Sequence, residues 1–301
     1  MIDRPAAPWS GRDDGPGAEH ARWHHAVNGA RADARVALIG FASDEGVRRN
    51  QGRVGAAEGP AALRAALGGF AAPGVGVRDR GDVVVADGDL EVGQARLGRA
   101  VATVLERGAL PVVIGGGHEV AFGSALGWIG RDETWGVLNL DAHLDLRRAG
   151  QATSGTPFAQ IADALTARDK GFRYSVIGLG RPSNTAALVA EAARWEVAML
   201  EDARTDERSA LAAAEGLLAG VDRVHLTLDL DVLPASVAPG VSAPAAFGIP
   251  LGVVLAVLRA VAASGRLGLF EVAELNPRLD VDQRTARTAA RCVDEVVRHL
   301  P

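Results

Sequence analysis

Short apolar runs recur at 35–40, 82–86, 111–114, 137–140, 174–178, 196–200, 224–228 and 267–275. Most are continuous rather than alternating, the pattern of strands covered on both faces. Between them lie stretches with helical spacing of apolar positions, at 60–67, 91–107, 159–167, 208–219, 251–263 and 283–300. Strand and helix in alternation predict an α/β fold with a mostly parallel sheet of about eight strands. Periodicity alone admits either an open sheet or a closed barrel. Residues 1–33, rich in Gly, Pro, Asp and His, lack such periodicity and read as a loosely structured arm before a single domain at 34–301.

Three of the runs end in residues that bind cations. Run 111–114 enters Gly115-Gly116-Gly117-His118-Glu119, run 137–140 enters Asp141, His143 and Asp145, and run 224–228 enters Asp229 and Asp231. Side chains at i, i+2 and i+4 of extended backbone share a face, so the spacing aims Asp141, His143 and Asp145 at one spot. Each aspartate alone would serve equally well as a cap. Clusters at three strand ends fall where parallel sheets bind ligands. Two histidines and four aspartates exceed what one zinc needs and suit a two-ion centre of Mn²⁺-like character. Such a centre acidifies water, which points to hydrolysis. His225, within a strand run, reads as a packed core histidine.

Composition narrows the picture. With 48% hydrophobic residues in 301, the chain can bury a large core, and its formal net charge of -5 argues against a nucleic-acid partner. No apolar run reaches the roughly 20 residues of a membrane span, and the polar start has no signal-peptide core. One cysteine, Cys292, fits a reducing compartment, so a cytoplasmic protein is expected. A rival reading takes the Gly115–Gly117 turn as a nucleotide or phosphate cradle, but no Lys or Ser follows the glycines as in a P-loop. The loop at 43–56 carries Arg48, Arg49 and Arg53, which could meet an anion or form salt bridges.

In this order the GGGHE, DAHLD and Asp229-Leu230-Asp231-Val232-Leu233-Pro234 segments resemble the ureohydrolase (arginase-like) family, across nearly everything from about residue 35 onward. The resemblance implies a three-layer α/β/α fold with an eight-stranded parallel sheet and a binuclear Mn²⁺ centre. One ion would take His118, Asp141, Asp145 and Asp229; the other would take Asp141, His143, Asp229 and Asp231. It implies that Glu274 holds a cationic amidine; Asp145, as a ligand on one ion, is the nearest candidate to relay the water's proton. It also implies a homo-oligomer, trimer or hexamer, acting on a small molecule.

Two departures from arginase bear on the substrate. Ser154 stands where arginases carry a histidine, and Arg147 where they carry an uncharged polar residue. With the segments at 44–56, 154–158, 180–185 and 238–248, these features are similar to the branch that cleaves N-formimidoyl-L-glutamate to L-glutamate and formamide in histidine degradation. Two substrate carboxylates call for guanidinium partners. Arg147 and Arg181 are the expected anchors, with Ser154 and Asn184 as further contacts and Arg48, Arg49 and Arg53 as weaker candidates. The alternative within the family is a guanidino substrate: agmatine, guanidinobutyrate or arginine.

Overall fold

The computed structural model describes residues 2–29 and 34–301. Eight strands form one sheet: β1 (Val36–Ala42), β2 (Val77–Val84), β3 (Leu110–Ile114), β4 (Trp135–Leu140), β5 (Tyr174–Leu179), β6 (Ala198–Glu201), β7 (Arg223–Asp229) and β8 (Leu267–Ala273). They lie in the order β2-β1-β3-β8-β7-β4-β5-β6, and each neighbouring pair is parallel. The sheet is open, with β2 and β6 at its edges.

Alternation along the strands divides the apolar residues between two cores. Leu38, Val112, Leu138, Leu226 and Phe270 pack on one face with residues of helices Gly59–Gly68, Leu251–Ala263 and Arg284–Arg298. Ile39, Val113, Val137, Val176 and Leu269 pack on the other with residues of helices Leu90–Glu106 and Pro157–Thr166. This is the three-layer arrangement, and it explains why the runs read as continuous: both faces are covered. A fully buried aliphatic or aromatic side chain contributes about 1.5–3 kcal/mol over leaving it exposed, so the two cores supply the main stabilising term.

Two differences from the expected elements have local causes. The second strand starts at Val77 rather than 82, because Asp79 and Asp82 are buried within it and hide its character. Arg64 neutralises both, with Nε 2.7 Å from Asp79 Oδ2 and Nη1 2.6 Å from Asp82 Oδ1. Short helices Glu45–Arg49 and Val120–Ala125 also occupy stretches in which no helix was expected.

The described part of the N-terminal arm, residues 2–29, runs over the domain with little regular structure. It is tied down by Trp23, fully buried, whose indole donates to Asp294 Oδ1 at 2.8 Å. Trp9 donates likewise to Asp79 Oδ2 at 2.8 Å. Among the described residues, no helix is long and apolar enough to cross a membrane.

Candidate metal centre

The four central strands, β3, β8, β7 and β4, all carry polar residues at their C-terminal ends. His118 Nδ1 lies 3.1 Å from an Oδ2 of each of Asp141, Asp145 and Asp229. His143 Nδ1 lies 3.1 Å from Asp231 Oδ2 and 3.5 Å from Asp141 Oδ1. Two groups able to hold a cation result: His118, Asp141, Asp145 and Asp229, and Asp141, His143 and Asp231. Asp141 belongs to both. Asp229, expected to bridge as well, stands in the first group only.

Local backbone chemistry sets these side chains. Asp141 Oδ1 accepts from His143 N at 2.7 Å, and Asp229 Oδ1 from Asp231 N at 2.8 Å. In both segments a carboxylate bonds its own backbone two residues on, an Asx turn that frees its other oxygen for the centre. Asp145 does not reach the group by strand alternation as expected. The strand ends at Leu140, and Asp145 adopts a left-handed backbone at φ 46°, which brings its carboxylate back toward His118.

The residues fit a bound cation. His118 Nε2 pairs with Thr227 Oγ1 at 3.0 Å, and Nδ1 faces three carboxylates without forming a hydrogen bond to any. A proton on Nδ1 would serve one of those oxygens; a cation serves all three. Ligand atoms about 2.1 Å from an octahedral ion lie roughly 3 Å apart along its edges, the separation seen here. Asp231 Oδ1 is likewise buried with no partner. Oxygen-rich ligands with imidazole suit a hard or borderline ion such as Mn²⁺.

Two supporting residues were not anticipated. Thr227 holds the His118 ring. Asn139 donates to Asp141 Oδ2 at 2.9 Å and to Tyr174 Oη at 3.0 Å, and Tyr174 in turn donates to Leu144 O. Each lies two positions before a metal-group aspartate and on the same strand face. A polar residue at that offset inside an otherwise apolar run was the available signal.

Glu274, just past β8, has a left-handed backbone at φ 68°. Its Oε1 accepts from His118 N at 2.9 Å, while Oε2 is buried without a partner. Burial first, then the charge of Glu119, pushes its carboxyl up to about 8, against the lowering effect of the His118 N–H. Glu119, whose Oε1 accepts from Ser43 Oγ at 3.0 Å and Gly46 N at 3.1 Å, is pushed by burial up to about 7. Burial likewise raises Asp229 and Asp231.

Folded-state values above the ordinary carboxylate range mean that the folded chain keeps protons the unfolded chain has lost. The resulting stability is full below the unfolded range and disappears as pH rises through about 7 and about 8, the values for Glu119 and Glu274. Metal-free protein is therefore expected to melt at a lower temperature near pH 9 than near pH 6, with a smaller drop in Glu119→Gln. Melting temperatures that stay level or rise over this range would contradict it.

The centre opens into a cavity of about 380 Å³ whose lining includes His118, His143, Asp145, Arg147, Ser154 and Glu274. Arg147 is exposed, lies across Gly155, and has no ion-pair partner among the described residues. Ser154 Oγ accepts from Asn50 Nδ2 at 3.1 Å. Arg181 does not line the cavity; its side chain is 68% exposed and pairs with Glu201 at 3.4 Å. Asn184, too, lies outside the cavity lining. Its Oδ1 accepts from Leu144 N at 3.0 Å, and its Nδ2 donates to Ala142 O and Gly180 O, each at 2.9 Å. Its amide thus clamps the loop that carries His143. Arg48 pairs with Glu45, and Arg49 with Glu45 and Glu91.

The glycine turn is committed internally rather than to phosphate. Gly115 N donates to Val272 O and Gly117 N to Ser43 O. A Cβ on Gly116 would lie 1.7 Å from Ser43 O, so only glycine permits this approach. His225 lies fully buried, its Nε2 3.0 Å from Glu271 Oε1, within the core.

The sequence pattern of the arginase family matches residues 34–298, and the chain belongs to that family. It is thus a hydrolase acting on an amidine-type C–N bond. Among its relatives, the formimidoylglutamase of Nocardia farcinica is 53% identical, the match covering 99% of this chain and 98% of that protein. The formimidoylglutamase of Rhodococcus jostii is 51% identical, covering 97% and 95%. A crystal structure of Trypanosoma cruzi formiminoglutamase with Mn²⁺ superposes with a TM-score of 0.83 at 28% identity, covering 93% of this chain and 99% of that one.

Proposed function

We propose that the chain hydrolyses the C–N bond of N-formimidoyl-L-glutamate to give L-glutamate and formamide, with two Mn²⁺ ions as cofactor. The observation that carries this reading is the charge pattern of the cavity: a carboxylate-rich floor with the unpartnered Glu274 Oε2, and the unpaired Arg147 guanidinium in the same lining. The substrate has the complementary pattern, a cationic formimidoyl group beside carboxylates.

His118, Asp141, Asp145, Asp229, His143 and Asp231 would hold the ions. When bound, two such cations acidify a water to near neutrality and stabilise developing negative charge. Glu274 holds the formimidoyl cation through Oε2, and Arg147 takes a carboxylate bidentately. Asp145, which lines the cavity, relays a proton, and Ser154 offers its hydroxyl to the substrate. Breaking the bond to the glutamate nitrogen releases the free amine and formamide. We place this reaction in histidine degradation, in a cytoplasmic homo-oligomer (trimer or hexamer) acting on a small molecule.

The test is incubation of Mn²⁺-loaded protein with N-formimidoyl-L-glutamate, arginine, agmatine and guanidinobutyrate. Glutamate and formamide are expected, and Arg147→Ala should lower kcat/KM by roughly 10- to 100-fold, mainly through KM. Urea from a guanidino substrate, with no glutamate released from N-formimidoyl-L-glutamate, would overturn the reading.

A further inference from the structure

The proposed substrate carries two carboxylates, and Arg147 answers one of them. Of the four other arginines considered from the sequence, Arg48, Arg49 and Arg181 are already neutralised by Glu45, Glu91 or Glu201. Arg53 is different. It lines the cavity together with Arg147, and among the described residues it has no carboxylate partner.

Arg53 is nevertheless held in place. Its Nε donates to Ser242 O and its Nη2 to Val241 O, each at 2.8 Å, while its backbone N donates to Ser242 Oγ at 2.8 Å. Its carbonyl accepts from Asn276 Nδ2 at 3.0 Å. These contacts occupy one edge of the guanidinium with neutral carbonyls. Nη1 and the second Nη2 proton remain, forming the fork that matches a carboxylate. The charge is uncompensated and the geometry is set beforehand, so little entropy is lost when an anion arrives.

One of these contacts ties the Arg53 backbone to the segment that carries Glu274. Asn276 stands two residues after Glu274 and is fully buried. One short segment therefore carries the Glu274 carboxylate and also holds the backbone at Arg53. Arg147, by contrast, lies two residues beyond Asp145, on the metal-binding loop itself.

We propose that Arg53 is a specificity-determining residue that binds the side-chain carboxylate of the substrate, leaving the carboxylate next to the reacting nitrogen to Arg147. The proposal rests on the substrate reading given above, and its test separates the two. Steady-state kinetics would be measured for wild type, Arg53→Ala and Arg53→Lys on N-formimidoyl-L-glutamate and on N-formimidoylglycine, which lacks the side-chain carboxylate. Arg53→Ala should raise KM for the glutamate derivative, lowering kcat/KM by roughly 10- to 100-fold, with kcat nearly retained. The low activity on the glycine derivative should barely change, and Arg53→Lys should recover part of the loss. Equal losses on both substrates, a loss confined to kcat, or no loss at all would overturn the role of Arg53. If wild type releases no glutamate from N-formimidoyl-L-glutamate, the functional reading itself fails, whatever Arg53 does.

Discussion

Asp141→Asn is expected to strip metal from the protein and to lower turnover by roughly 10³-fold or more. Cation stabilisation of developing charge is worth several kcal/mol, and about 1.4 kcal/mol is a factor of ten. Asp141 is the residue common to both cation-binding groups. One of its oxygens accepts from His143 N and the other from Asn139 Nδ2 while facing His118. An asparagine that keeps the first bond turns its amide protons toward Asn139 Nδ2, donor against donor. Metal content by elemental analysis after gel filtration, together with kcat at saturating Mn²⁺, checks this. Two equivalents of Mn²⁺ with near-normal turnover would remove Asp141 from the centre.

Glu274→Gln is expected to lower kcat/KM by roughly 10²- to 10³-fold, since losing one partner of a buried charge pair costs about 2–5 kcal/mol. The substitution keeps the side-chain shape and allows the amide oxygen to accept from His118 N, so the loss reports charge rather than collapse. A Gln variant with unchanged kcat/KM would show that the formimidoyl cation is held elsewhere.

The central strands were legible because buried parallel strands announce themselves as apolar runs, and their polar ends stand out against them. Strand β2 was partly hidden: Asp79 and Asp82 are core residues only because Arg64, distant in sequence, meets them. The six cation-binding candidates were visible as motifs, yet Asp145 arrives through a left-handed turn that no alternation rule supplies. Substrate contacts were less legible. An asparagine beside a loop can bind a ligand or satisfy backbone, and Asn184 does the latter because the 142–144 segment has no ladder to pair with. For arginines the deciding fact is which carboxylates stand nearby, and that depends on loops from other strands. Glu201, at the end of β6, thus pairs with Arg181 outside the cavity, while carbonyls alone hold the Arg53 guanidinium.

The strand order has a consequence for how the protein is made. Strands β3 and β4 are consecutive in the chain but not neighbours in the sheet, where β8 and β7 lie between them. During synthesis the early strands can pair only as two separate half-sheets, one ending at β3 and one at β4. Both bordering strands are buried throughout in the finished protein, so each half presents a bare apolar edge until its partner emerges. Closure waits for β8, which begins only at Leu267, and such long-range pairing is slow. The last strand acts as a keystone: a nascent chain arrested before it would carry five of its metal-binding motifs' side chains on one half or on β7, without the strand that joins them to His118. Metal loading is then a late event, and the interval before it is when the chain most needs protection from aggregation.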